Sequence, residues 1–351
     1  MTNNRTSLTI TMPDDWHVHL RSDALLAHVL PFSTKHFGRA IVMPNLQPPV
    51  ISTKDATRYQ QQIQALLPQE SHFTPLMTLY MTEQTDAEDV RQGYLSGHIN
   101  AVKLYPAGAT TNSAAGVKNI ENIYPVLEVM EEIGMPFLVH GEVVDNDIDI
   151  FDREAVFIDT KLIPIRQRFP KLNIVFEHLT TKEGVDYVQS CDNNTAATVT
   201  PHHLVINRNA MLVGGIKPHY YCLPVAKREI HRLALVKAVT SGDIHFFLGT
   251  DSAPHVDHAK ESSCGCAGVF NVANTLSIIA QVFEQENALD KLEGFTSLHG
   301  PAFYKLPINT HKICLKRSAI PLPLPKNIDT EEGSITVFDP QIDLHWKAEN
   351  I

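Results

Sequence analysis

The chain has 351 residues, 43% of them hydrophobic and 19% charged, a balance that argues against disorder and supplies one large apolar core. Its formal charge of -10, from 39 acidic against 29 basic residues without a basic block, argues against a nucleic-acid surface. No apolar run approaches the roughly 18 residues that cross a bilayer, so no membrane-spanning helix is expected.

Met1 to Arg5 lacks the apolar continuation of a secretory leader, and we expect a cytoplasmic protein acting on a small molecule. Eight short runs rich in Val, Ile, Phe and Leu read as strands: Asp15 to Leu20, Ala40 to Asn45, Thr74 to Tyr80, Ala101 to Tyr105, Phe137 to Gly141, Asn173 to His178, Ala196 to Pro201 and His245 to Asp251. Between them Thr53 to Leu67, Ile120 to Ile133, Phe157 to Phe169 and Ala226 to Thr240 carry apolar residues at three-to-four spacing and read as helices. Eight strand-helix units predict an α/β fold, a (β/α)8 TIM-type barrel forming a single domain over residues 1–351. An open doubly wound sheet is disfavoured because no Gly-x-Gly-x-x-Gly turn follows the first strand. From about Glu284 the pattern loses regularity and turns Pro-rich around Ile320 to Lys326, so residues 284–351 are expected as an extension packed on the barrel.

Two connections are long. Pro106 to Lys118 holds little apolar material and is expected as a mobile surface loop, a lid over whatever Lys103 serves. Ser252 to Phe270 carries His255, His258, Cys264 and Cys266. The five cysteines, Cys191, Cys222, Cys264, Cys266 and Cys314, form an odd set without paired spacing, which points to reduced thiols.

Chemistry concentrates where the strands end. In Asp14-Asp15-Trp16-His17-Val18-His19-Leu20-Arg21, alternation along a strand puts His17 and His19 on one side, about 7 Å apart. Asn45, Lys103, His140, His178 and Asp251 also fall at or just past the ends of predicted strands, the face on which barrels place their chemistry. Imidazole and carboxylate are zinc ligands, and five such groups exceed the needs of one tetrahedral ion with an open position. Two ions sharing a bridging group are the economical solution. A protonated Lys103 cannot ligate. Three readings of it stay open: a carbamate formed with carbon dioxide, whose oxygens bridge the ions; a Schiff-base amine; or a salt-bridging lysine. Arg21, a two-pronged donor, forms with Asn45 and His255 a pocket for a substrate carboxylate. His202, His203 and Glu142 read as supporting residues.

This pattern of His17-Val-His19, Lys103, His140, His178 and Asp251 resembles the amidohydrolase superfamily. Several further stretches are similar to the short, non-fused bacterial dihydroorotase family: Pro13 to Arg21, Ala40 to Leu46, Val139 to Glu142, Phe176 to His178, Leu248 to His255 and Ser262 to Gly268. The likeness runs from about Pro13 to about Pro301. It implies the reversible cyclisation of N-carbamoyl-L-aspartate to L-dihydroorotate plus water, the third step of pyrimidine synthesis. It further implies two Zn2+ per chain, one held by His17, His19 and Asp251 and the other by His140 and His178. Lys103, carboxylated to N6-carboxylysine, and a nucleophilic hydroxide would bridge them, with Asp251 as general base and acid. Backbone groups of Leu223 and Ala267 would bind the ring, Thr110 and Thr111 of the lid would close over it, and the enzyme would be a homodimer. Rival readings are a dihydropyrimidinase-like or hydantoinase-like enzyme, a Lys103 Schiff-base aldolase, and a silent barrel.

Overall fold

The computed structural model describes residues 6–351. After β1 (Ser7–Thr11) come eight short strands: β2 (Asp14–Val18), β3 (Arg39–Val42), β4 (Thr74–Tyr80), β5 (Ala101–Leu104), β6 (Phe137–Val139), β7 (Ile174–Phe176), β8 (Thr195–Val199) and β9 (Phe246–Leu248). They form one parallel sheet in sequence order, with helices in the connections, as the alternating pattern predicts. The sheet curls until its first and last strands meet. Val18 bridges to Ser252 in parallel, and the Asp251 N–H donates to the His17 carbonyl at 2.8 Å. The Asp15 carboxylate locks this seam by accepting from the Thr250 N–H at 2.8 Å and its hydroxyl at 2.6 Å. The expected barrel is what forms.

Alternation sorts side chains between the lumen and the helical layer. Trp16, Ile41, Met43, Leu76, Ala101, Leu138, Val175, Ala196 and Phe247 make one apolar cluster, with Tyr304 stacked on Trp16 at 4.4 Å. Two residues past Ala101 and Leu138 on the same faces stand Lys103 and His140, so the polar layer rests on a packed floor. Gly249 is required at the seam: a Cβ there would lie 2.7 Å from Thr198 Cβ and 3.0 Å from His17 Cβ. Hydroxyl caps end the strand-to-helix turns at Thr181 and Thr200, which accept from the N–H of Gly184 and His203.

Several boundaries differ from expectation. The ladder stops at Val18, Val139, Phe176 and Leu248, short of the functional residues. The chain leaves the sheet there, and Arg21, His178 and Asp251 adopt left-handed φ of 59°, 41° and 45°. Such backbone is costly for non-glycine residues and clusters at active sites. The expected helix at 157–169 begins earlier, at Arg153, and contains a π-helical turn over Ile158–Leu162. The helix expected from Ala226 starts at Glu229. The 106–118 loop is less exposed than its composition suggests. Ala109 and Ser113 are buried, and the 106–118 loop folds on itself through bonds such as Gly108 N–H to Ser113 O (3.1 Å) and Ala107 N–H to Val117 O (3.0 Å). Small residues let the backbone satisfy itself without an apolar side-chain core.

In the C-terminal part, β10 (Lys312–Arg317) pairs antiparallel with β1 and with β13 (Trp346–Asn350). A hairpin of β11 (Asn327–Thr330) and β12 (Gly333–Thr336) reaches the mouth of the barrel, where Asp257 accepts from the Thr336 N–H and hydroxyl, both at 2.9 Å.

Candidate active site

Three ligand-type atoms converge at the seam. His17 Nε2 and His19 Nε2 are 3.3 Å apart, Asp251 Oδ1 lies 3.1 Å from His19 Nε2, and 3.3 Å separates it from His17 Nε2. Ligands about 2.0–2.1 Å from a tetrahedral ion stand about 3.3 Å from one another. On the opposite wall His140 Nδ1 and His178 Nε2 approach to 3.2 Å. The outer nitrogens have polar neighbours: His17 Nδ1 lies 3.1 Å from Glu177, His19 Nδ1 is 2.9 Å from Asn45 Oδ1, and His140 Nε2 is 3.0 Å from Glu142. Such partners select the tautomer whose lone pair faces the centre, the arrangement that surrounds metal-binding histidines. The donor set therefore fits metal ions.

Burial and charge act on these groups in different directions. Burial works against a charged His17, but Glu177 and then Asp251 outweigh it and hold the ring up at about 9. Burial lowers His19 to about 4. Asp251 would be raised by burial, yet the charge and hydrogen bond of His17 hold it well below the usual carboxylate range. Without an ion, His17 and Asp251 thus titrate as a coupled pair, whereas burial keeps His19 neutral, the form that ligates.

Lys103 is fully buried, and its Nζ pairs closely with Glu177, which also lies 3.1 Å from His17 Nδ1. Burial pushes its amine below the ordinary lysine value against the pull of Glu177. Sequence reasoning assigned Glu177 no role. Alternation from Val175 would have pointed it inward, whereas the left-handed turn at His178 brings the next residue inward as well.

A second wall is built from loops. Arg21 donates from Nε to the Pro254 carbonyl at 3.0 Å and places Nη2 2.9 Å from His255 Nε2, which also lies 3.0 Å from the Ala267 carbonyl. One ring nitrogen cannot accept from Arg21 and donate to Ala267 at once, so this cluster holds one donor too many. A carboxylate would satisfy it. Burial, then Arg21, holds His255 well below its ordinary value. Asn45 does more than expected: besides facing His19, its amide donates to the Thr111 carbonyl at 3.1 Å and so ties ligand to lid. The lid also meets the far loop, where Thr111 Oγ1 is 3.4 Å from the Ala267 carbonyl.

Between the walls lies a cavity of about 20 Å3 lined by His17, His19, Arg21, Asn45, Tyr105, Thr110, Thr111, His140, His178, Leu223, Asp251, Ala253, Ala267 and Gly268. That is room for about one water molecule. Of the residues singled out from sequence, Lys103 sits behind this lining and His255 beside it. His203 is committed elsewhere, to the Thr200 hydroxyl (2.8 Å) and the Pro224 carbonyl (3.1 Å), and His202 meets the Asn271 amide at 2.9 Å. All five cysteines are free thiols.

A barrel carrying this ligand ring defines a class: the chain belongs to the amidohydrolase family, whose model matches residues 10–319. It is 60% identical over 344 residues to the dihydroorotase of Chelativorans sp. (strain BNC1), covering 98% of this chain and 99% of that one. A crystal structure of dihydroorotase from Saccharomyces cerevisiae in complex with 5-fluoroorotic acid superposes with TM-score 0.90 at 32% identity, over 99% of each chain. The dihydroorotase of Campylobacter jejuni gives 0.88 at 32% identity, over 100% of this chain and 98% of that one. Its branch of the family is thus that of the dihydroorotases. Among the described residues no helix is long and apolar enough to cross a membrane.

Proposed function

We infer that this chain catalyses the reversible ring closure of N-carbamoyl-L-aspartate to L-dihydroorotate with loss of water, the dihydroorotase reaction (EC 3.5.2.3) of pyrimidine synthesis. The observation that carries the assignment is one cavity with a metal-ligand wall facing an arginine that lacks a carboxylate partner. Identity near 60% over almost the whole chain supports the same substrate.

His17, His19 and Asp251 would hold one divalent ion and His140 and His178 the other, with carboxylated Lys103 between them; zinc is the ion the donor set suits. When bound, such ions polarise a carbonyl and lower the pKa of water from 15.7 toward about 7. Burial of the Lys103 amine favours its neutral form, the form that captures carbon dioxide. Arg21, Asn45 and His255 receive the substrate's side carboxylate and orient the ring. The backbone at Leu223 and Ala267 meets its polar edge, and Thr110 and Thr111 close the lid and exclude water. Asp251 keeps Oδ1 on the two imidazoles and uses Oδ2 for proton transfer. In ring closure it takes the proton of the attacking ureido nitrogen and passes it to the carboxylate oxygen that departs as hydroxide, which a second proton from solvent converts to water; in ring opening the order reverses. A cytoplasmic homodimer completes the reading, with sedimentation as its check.

The test is turnover of L-dihydroorotate, followed by loss of its ultraviolet absorbance, alongside metal analysis. About two zinc ions per chain and activity abolished by chelation support the reading. Metal without turnover redirects it to other cyclic amides, and absence of metal after reconstitution removes the ligand assignment.

A further inference from the structure

One buried charge plays no part in this chemistry. Lys260 ends the short helix Asp257–Lys260 and is 5% exposed. Its Nζ donates to the carbonyls of Tyr221 at 3.1 Å, Cys266 at 3.0 Å and Gly268 at 2.5 Å. These three bonds use every donor of an ammonium. All three partners are uncharged, and Asp257 acts on the ammonium only at a distance, without a bond to it. Burying a cation this way is costly, and an apolar side chain would fill the space at less expense. Burial indeed lowers Lys260 to about 8.

The three carbonyls are not scattered. Cys266 and Gly268 flank Ala267 on both sides, and Tyr221 is two residues from Leu223, so the ammonium ties together the two backbone segments that line the loop wall of the cavity. One direct link joins the same segments, the Gly268 N–H to the Tyr221 carbonyl at 3.0 Å. Gly268 has φ of 141°, and a Cβ there would lie 2.7 Å from the Ala253 carbonyl oxygen. Local preference alone does not hold the chain in that shape. The helix bearing Lys260 is fixed from outside, because Asp257 accepts two bonds from Thr336 of the C-terminal hairpin.

We propose that Lys260 is a positioning residue for substrate: its ammonium clamps the Tyr221–Leu223 and Cys266–Gly268 segments so that their backbone groups meet the ring, and it sets affinity without touching the reacting atoms. The proposal rests on the dihydroorotase reading. It also gives the C-terminal extension a task, that of anchoring the clamp.

The experiment is a donor series at position 260, run on the metal-loaded enzyme with L-dihydroorotate: lysine with three donors, Lys260→Gln with two, Lys260→Met with none. KM is expected to rise in that order, by about 10- to 100-fold for Lys260→Met, with kcat within about threefold and metal content unchanged, the signature of lost binding shared by ground and transition states. Binding of orotate, measured by calorimetry, should weaken in parallel. An unchanged KM in both variants overturns the proposal. So does a fall in kcat together with metal loss, or failure of both variants to fold, each of which makes Lys260 a residue of the fold alone. Lack of wild-type turnover would instead defeat the functional reading, and the two failures are distinct.

Discussion

The two walls of the cavity are built by different means. On the ligand wall, Lys103 lies within the barrel ladder, His140 one residue past it and His17 at an irregularity of its register between Asp15 and Val18, so position follows closely from the strands. On the loop wall, Arg21, His255, Leu223 and Ala267 lie outside the ladder and are held by side chains bonded to backbone carbonyls, as at Pro254, Thr111 and Gly268. A ladder has no alternative arrangement at low cost, whereas a few stapled bonds can be exchanged. Rigid geometry therefore falls to the wall whose donor set fits metal ions, and the loop wall rests on fewer, exchangeable bonds.

Substitutions can sharpen or break this contrast. The largest effect is expected for Asp251→Asn, which removes the proton carrier and one ligand: kcat for L-dihydroorotate should fall by about 10²- to 10⁴-fold or more, with metal analysis reporting the ligand loss separately. Arg21→Met acts on the other wall. Losing a charge-assisted contact of about 1.5–3 kcal/mol should raise KM by about 10- to 100-fold while leaving metal content intact. A kcat loss equal to that of Asp251→Asn would erase the distinction between the walls. Glu177→Gln should show itself first in metal retention, with affinity about 10- to 100-fold weaker in competition with a chelator.

The smallest effect concerns acid stability. Burial lowers His202 from the ordinary 6.5 to about 4. The unfolded chain therefore takes up its proton first, and stability present above 6.5 is lost as the pH falls toward about 4. In His202→Asn the urea midpoint should drop less over that interval than in the wild type. Equal slopes would place the acid sensitivity elsewhere.

The contrast also explains what could be read from the chain. Alternation and strand-helix order were enough to place eight strands and to find His17, His19, Lys103, His140, His178 and Asp251 near their ends, and the fold brings these side chains together. Where the ladder stops, the period-2 rule stops too. Glu177 and His178 both turn inward because the backbone changes hand between strand and loop, which no hydrophobic pattern records. Lys260 left no trace either. Its partners are carbonyls, present at every residue, so only the folded path of the loops reveals why a lysine stands there. The exposure of the 106–118 loop was overestimated for a related reason: a segment of Gly, Ser, Thr and Ala looks solvated by composition, yet its own backbone bonds let Ala109 and Ser113 be buried.

The seam between β2 and β9 has a consequence for how the molecule is made. His19 and Asp251, which meet at 3.1 Å, are 232 residues apart in the chain. During translation the two histidines emerge among the first residues and the carboxylate only after the eighth barrel strand. On the proposed assignment no N-terminal fragment that ends before Asp251 possesses this ion site, and occupancy reports that the ring has closed. Joining ends so distant carries a loop-closure cost that grows only logarithmically with length. An ion captured there would act as a cross-link applied late, after most of the core is in place.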